Sequence, residues 1–191
     1  MAQISNRLFY KKSFQEFGVS AQGVHWSSKE SQYRRFEAIC RCLDTLEFES
    51  VVDAGCGFGE FYAYLQVYAN YASCYMGIDC EAHMIQVCHD RFEKEKFHKL
   101  NILYDPLIKA DVYVCSGAMN LMDLVQVEIF VSRCFEYANK GFVFNFLKSL
   151  SYNQITQDEI FNLCEKYTSN IYIVDDYLEN DYTVLMKKDL E

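Results

Sequence analysis

The run Val51-Val52-Asp53-Ala54-Gly55-Cys56-Gly57-Phe58-Gly59-Glu60 constrains the fold more than any other part of the chain. Four residues read as a short buried strand. Three alternate glycines then let the backbone turn sharply and bring peptide N–H groups close to a ligand with no Cβ in the way. Residues 60–68 follow as a helix, with Phe61, Tyr64, Leu65 and Tyr68 at helical spacing. A strand that feeds a helix through such a loop opens a βαβ unit, whose strands run parallel because each return needs a crossover.

The rhythm continues along the chain. Residues 74–79 predict a second strand ending in a carboxylate, and 81–92 a second helix. A weaker third strand lies around 97–103. Residues 111–116 form a fourth, followed by a loop over 117–122 and a helix over 124–138, which Gly141 is expected to stop as a left-handed cap. Residues 142–146 read as a fifth strand, and Thr156 or Ser151 as the cap of a helix over 157–167. Strands over 171–175 and 182–187 close the chain, joined by a turn short enough for antiparallel pairing. The expected fold class is α/β, a doubly wound, seven-stranded, mainly parallel sheet with one antiparallel C-terminal strand. Ahead of it, 30–46 is one amphipathic helix with Tyr33, Phe36, Ile39, Cys40, Leu43 and Leu46 on its apolar face. Neither a repeat nor a Pro/Ser-rich linker divides the sequence. It is therefore read as a single domain over 1–191, with 1–47 an N-terminal helical or lid segment and 48–191 the α/β core.

Charge narrows the function classes. The 191 residues carry 18 basic and 27 acidic side chains, a net charge of −9; residues 1–50 contribute +1 and the rest −10. An acidic body repels phosphate backbones, so no nucleic-acid partner is expected beyond a weak basic stretch at 29–41. The best apolar run, 112–131, is broken by Asn120, Asp123, Gln126 and Glu128, so no membrane span is expected. Met1 to Tyr10 has no signal-peptide pattern. Nine scattered cysteines without a C-x-x-C pair argue for small buried hydrophobes in a reducing compartment and for no metal. The reading is a soluble cytoplasmic protein.

The chemistry lies in two carboxylates. Asp53 sits two residues before the first glycine, where it would repel a pyrophosphate and suits an ammonium group. Asp79 closes the next strand, 26 residues on, where a carboxylate accepts hydrogen bonds from adjacent ribose hydroxyls. A nucleoside carrying an amino acid satisfies both. The plain alternative is a tight glycine turn with Asp79 capping a helix.

At these residues the chain resembles the class I S-adenosylmethionine-dependent methyltransferases. Residues 51–60 match the family's first motif, Met76-Gly77-Ile78-Asp79 the second, and the two C-terminal strands its reversed strand; the resemblance covers about residues 48–188. The segment Gly23-Val24-His25-Trp26-Ser27-Ser28-Lys29-Glu30-Ser31-Gln32, continuing to Arg35-Phe36, looks like the leader of a small bacterial subgroup. The resemblance implies S-adenosyl-L-methionine as cofactor, with Gly55, Gly57 and Gly59 behind its methionine moiety and Asp79, followed by Cys80, at its ribose. Asn101 takes the place of an Asp that faces the adenine amino group, and its amide oxygen can still accept that bond. Ser116 ends the fourth strand, near the sulfonium and the acceptor. Arg35 is a candidate partner for the methionine carboxylate, or a solvated helix arginine. Trp26 is either a lid ring over the cofactor or a staple under the N-terminal helix. His25 and Asn120 are the catalytic candidates, with a solvated histidine and a turn cap as their plain alternatives.

Methyl transfer from a sulfonium needs alignment and exclusion of water more than a triad, so the acceptor is poorly encoded. Ser116-Gly117-Ala118-Met119 departs from the Asn/Asp-Pro-Pro-aromatic motif of enzymes acting on bases or amides. The connection over 147–155 leaves no room for a cap domain. A small-molecule acceptor follows. Two alternatives remain: a non-catalytic S-adenosylmethionine-binding module and, against Asp53 and the early third glycine, an NAD-dependent oxidoreductase.

Overall fold

The computed structural model describes residues 28–69, 71, 75–148 and 154–189. The expected roles of His25 and Trp26, the subgroup leader before Ser28 and the alternative cap Ser151 lie outside the described residues.

In chain order the elements are α1 (Lys29–Leu43), β1 (Val51–Ala54), α2 (Glu60–Tyr68), β2 (Tyr75–Asp79), α3 (Ala82–Arg91), β3 (Phe97–Lys99), β4 (Ala110–Ser116), α4 (Leu124–Tyr137), β5 (Ala138–Leu147), α5 (Gln157–Glu165), β6 (Ile171–Val174) and β7 (Asp181–Lys187). The strands make one sheet in the order β3-β2-β1-β4-β5-β7-β6. β7 runs antiparallel to both β5 and β6, and the pairings from β3 to β5 are all parallel. This is the doubly wound sheet with one reversed strand that the alternation predicts.

Period-two alternation divides the strand side chains between two cores. Val51, Val112, Val114, Val143 and Leu185 face α1, α2 and α3, where Phe36, Ile39, Phe61, Leu65 and Ile85 pack against them. Val52, Tyr113, Cys115, Phe142, Phe144, Val184 and Met186 face α4 and α5. Each fully buried aliphatic or aromatic side chain here is worth roughly 1.5–3 kcal/mol. Three helices begin in reciprocal capping boxes, Ser28 with Ser31, Asp123 with Gln126 and Thr156 with Glu159.

Two local expectations are corrected. Gly141 does not cap a helix: α4 ends at Tyr137, β5 starts directly at Ala138, and Gly141 lies inside that strand. A Cβ there would stand 2.7 Å from the carbonyl oxygen of Met186, so this glycine admits the reversed strand. The third strand is also shorter than expected. It stops at Lys99 because Asn101 turns the chain, its Oδ1 accepting from Leu103 N–H at 2.9 Å. Among the described residues no helix is long and apolar enough to cross a membrane.

Candidate active site

The carboxyl ends of β1, β2 and β4, with the turn after β3, surround a cleft. It lies where open α/β sheets bind ligands, at the point where strand order reverses between β1 and β4.

Its floor is the glycine loop. Gly55, Gly57 and Gly59 have φ of +84°, +55° and +77°, values that side-chain-bearing residues rarely adopt. Close approach matters as well, since a Cβ on Gly55 would stand 2.4 Å from that of Ala118. The loop's N–H groups, however, do not face the ligand as the sequence suggests. Gly55 and Cys56 donate to the Ile78 carbonyl, Gly57 to Asp79 Oδ2 at 3.0 Å, and Gly59 to the Cys56 carbonyl. The peptide groups are spent on folding the loop onto β2; the glycines provide its shape.

Asp53 is 2% exposed and accepts a 2.7 Å bond from the Tyr75 hydroxyl. Burial pushes its carboxyl up to about 7, against the Tyr75 bond that lowers it, and nearby Asp79 adds to the rise. Asp79 accepts from Glu81 N–H at 2.8 Å and from Gly57 N–H. Burial raises its carboxyl too, opposed by these two backbone donors. Both carboxylates line the cleft, with Glu60 and Glu81 beside them and no lysine or arginine among the described lining residues.

Cys80, Asn101, Ser116 and Asn120 also line the cleft. Cys80 is exposed as a residue, and partial burial of its thiol beside Asp79 pushes it up to about 12. Asn101 offers less than expected, because Oδ1 already accepts from Leu103 and Nδ2 donates to the Tyr104 hydroxyl. One lone pair on Oδ1 and one Nδ2 hydrogen remain for an adenine. The side chain of Asn120 does not cap its turn; its Oδ1 is buried without a hydrogen-bond partner among the described residues.

Arg35 is a correction. It does not line the cleft. It is buried in a two-bond pair with Asp181 on β7, Nε to Oδ1 at 2.5 Å and Nη2 to Oδ2 at 2.7 Å. A guanidinium on this face of α1 is drawn to the carboxylate that opens β7, so Nε and Nη2 are committed there and not to the cleft.

Sequence reasoning missed the braces. Tyr75 holds Asp53, the Cys88 thiol donates to the Gly57 carbonyl at 3.2 Å, and Arg91 bonds both the Phe58 carbonyl and Glu60. On the other wall, Arg133 of α4 donates to the Leu103 and Asp105 carbonyls. Gln32 and Phe36 of α1 also enter the lining. All are long-range contacts, for which spacing along the chain carries no signal.

Comparison with known proteins follows this geometry. Residues 51–141 match the model of a methyltransferase domain family. No curated protein matches the chain by sequence. Magnesium protoporphyrin IX methyltransferase from Synechocystis PCC 6803, crystallised with S-adenosylmethionine, superposes with a TM-score of 0.69 at 13% identity, covering 99% of this chain and 100% of that one. An S-adenosylmethionine-dependent methyltransferase from Clostridium acetobutylicum gives 0.70 at 13% identity over 94% and 98% of the two chains. The N-methyltransferase NodS from Bradyrhizobium japonicum gives 0.62 at 14% identity over 84% and 97%. At such identities the superpositions speak for the fold, and the family match falls on the segment that carries both carboxylates and the glycine loop. Residues 51–141 thus carry a methyltransferase domain, on a fold shared with S-adenosylmethionine-dependent methyltransferases of known structure.

Proposed function

We propose that this protein methylates a small molecule by in-line displacement, with Asp79 holding the cofactor's ribose and Asp53 its ammonium group. The observation that carries this reading is the meeting of buried Asp53 and half-buried Asp79 at one glycine loop, in a cleft without a described basic side chain. S-adenosylmethionine supplies a methyl group on a positively charged sulfur, a leaving group that needs no further activation. The residues present fit that molecule: the lining is acidic where the ligand is cationic, and each carboxylate oxygen of Asp79 keeps a lone pair beyond its backbone bond.

The protein's own work is positional. Tyr75 fixes Asp53, Asp79 fixes Gly57, and the rings of Phe36, Phe58 and Phe61 wall the cleft and exclude water. The acidic lining disfavours a carboxylate or phosphate ester as acceptor, since its charge would lie unpaired near Glu60 and Asp53. Such a lining also argues against a pyrophosphate dinucleotide.

Isothermal calorimetry with S-adenosylmethionine, S-adenosylhomocysteine and NAD tests the assignment. Asp79→Asn keeps an acceptor for the loop but loses the charge on its bonds to the ribose. A hydrogen bond to a charged group contributes about 1.5–3 kcal/mol, so the two sulfur nucleosides should bind roughly 10- to 100-fold more weakly. Unchanged affinity, or tight binding of NAD alone, overturns the reading.

A further inference from the structure

Asp53 is buried in the wall of the cleft with a neutral partner and no cation against it. Its Oδ2 accepts from the Tyr75 hydroxyl, and no other hydrogen bond reaches this carboxyl among the described residues. Oδ1 is the oxygen left for a ligand. The titratable groups around it are acids, thiols and one phenol. β2 presents Tyr75 and Asp79, the glycine loop Cys56 and β4 Cys115. Burial pushes both thiols up, that of Cys115 to about 12, so neither carries charge at neutral pH. Glu81 follows β2, and Glu60 of α2 is paired with Arg91 of α3. From α1 come Gln32 and Phe36, which do not titrate, while its Arg35 is engaged by Asp181.

An ionised carboxylate in this place loses its water and keeps one hydrogen bond from a phenol, whereas the neutral acid loses far less on burial. The carboxyl of the protein alone therefore titrates at about 7, the Tyr75 bond opposing the rise and the charge of Asp79 adding to it. An ammonium brought against Oδ1 reverses the balance. It supplies the counter-charge that the surrounding residues omit, and the ionised form becomes the favoured one.

We propose that Asp53 is a proton-exchange site, which gives up its proton as a ligand ammonium binds, and that Tyr75 is the positioning residue that sets how firmly the proton is held. The inference rests on the methyltransferase reading, which puts the cofactor's ammonium at Asp53, and adds to it a dependence of cofactor uptake on pH. In the exchange the carboxyl O–H bond breaks, the proton passes to water, and the electron pair stays on the oxygen that accepts from the ammonium. Tyr75 acts through Asp53: its hydroxyl bonds the ionised form more strongly than the neutral one and so eases the departure of the proton. Below pH 7 binding has to remove that proton, and each unit of pH weakens it by up to about tenfold; above pH 7 little proton is left to remove.

The test is calorimetry of the full chain with S-adenosylhomocysteine at pH 6 and pH 8, in buffers of different ionisation enthalpy, which counts the protons released. About 0.9 proton per ligand is expected at pH 6 and about 0.1 at pH 8, with affinity about tenfold lower at pH 6. Binding at pH 6 with release of less than about half a proton overturns the inference and leaves the cofactor reading standing. Absence of binding at both pH values would instead remove that reading. Asp53→Asn has no proton to exchange, so its affinity should agree at the two pH values within about twofold. A pH dependence like that of the wild type would place the exchange at another acid, Asp79 or Glu81, and overturn the assignment. Tyr75→Phe should move the midpoint of the affinity profile up by about one to two pH units, the worth of a hydrogen bond to a charged group. A midpoint that stays in place, even with affinity lowered equally at every pH, would make Tyr75 a packing residue and overturn its role.

Discussion

Replacing Asp53 by asparagine separates the contribution of this carboxylate to the ligand from its cost to the fold. Its carboxyl ordinarily titrates at 3.8 and in the folded protein at about 7, with burial the main cause. Between these values the native state keeps a proton that the unfolded chain releases. Raising the pH therefore favours unfolding across that window, and above pH 7 the full cost remains. About 3 pH units at roughly 1.4 kcal/mol each give about 4 kcal/mol. The amide of the Asp53→Asn variant does not titrate, and its oxygen can still accept from Tyr75. The assay is urea unfolding of both proteins without ligand, at pH 4.5 and pH 8. The stability advantage of the variant should grow by about 3–4 kcal/mol from the lower to the higher pH. At pH 8 the same variant should bind S-adenosylmethionine more weakly, because a charged partner for the ammonium is gone. A stability difference independent of pH would refute the argument, and so would a wild type more stable than the variant at pH 8. In either case the buried carboxylate would be stabilised by groups that the desolvation argument leaves out.

Three further substitutions probe the frame of the site. Gly55→Ala puts a methyl group 2.4 Å from the Cβ of Ala118 at a φ of +84°, and should cost at least about 2 kcal/mol in chemical denaturation. Adding Ala118→Gly should recover the steric part but not the backbone strain, a coupling that a double-mutant cycle measures. Arg35→Met leaves Asp181 buried and unpaired, so a loss of about 3–5 kcal/mol is expected, whereas Arg35→Met with Asp181→Leu should recover most of it. Tyr182→Phe removes a hydroxyl that is buried without a partner among the described residues, and should raise stability by about 1 kcal/mol in a thermal melt.

The parts of this protein that were legible in its sequence are those set by local rules. Strand-to-helix alternation, the glycine loop and the two strand-end acids each reside within about ten residues, and each has one physical reading. Gly141 shows where such rules fail. A glycine soon after a helix has two uses, a left-handed cap or a gap for a neighbouring strand, and only the approach of Met186 decides between them. Arg35 fails for a related reason, because a basic residue on a helix facing a cleft is free for a ligand only if nothing else claims it. Asp181, 146 residues away, does. Asn101 lines the cleft, and the same side chain that is expected to face an adenine also builds its own turn.

The division of labour in the cleft follows from this difference between local and distant contacts. The end of the cleft proposed for the cofactor is written in contiguous motifs, because two carboxylates and an open turn need only a strand end and the loop beside it. Even there the geometry depends on partners from elsewhere: Asp79 is also the acceptor that folds Gly57 back onto β2, so the residue assigned to the ribose also shapes the loop under the methionine. The polar network at the tip of β4 is assembled from α1, β4 and β5, three elements whose meeting no short motif records. Ser116 alone is an ordinary strand-end serine; its direction comes from Asn145, and the direction of Asn145 comes from Thr183 and the Arg35 carbonyl. A substitution at any of these positions reorients Ser116 while both carboxylate motifs stay intact, so the polarity of this end of the cleft is written chiefly in contacts between distant residues.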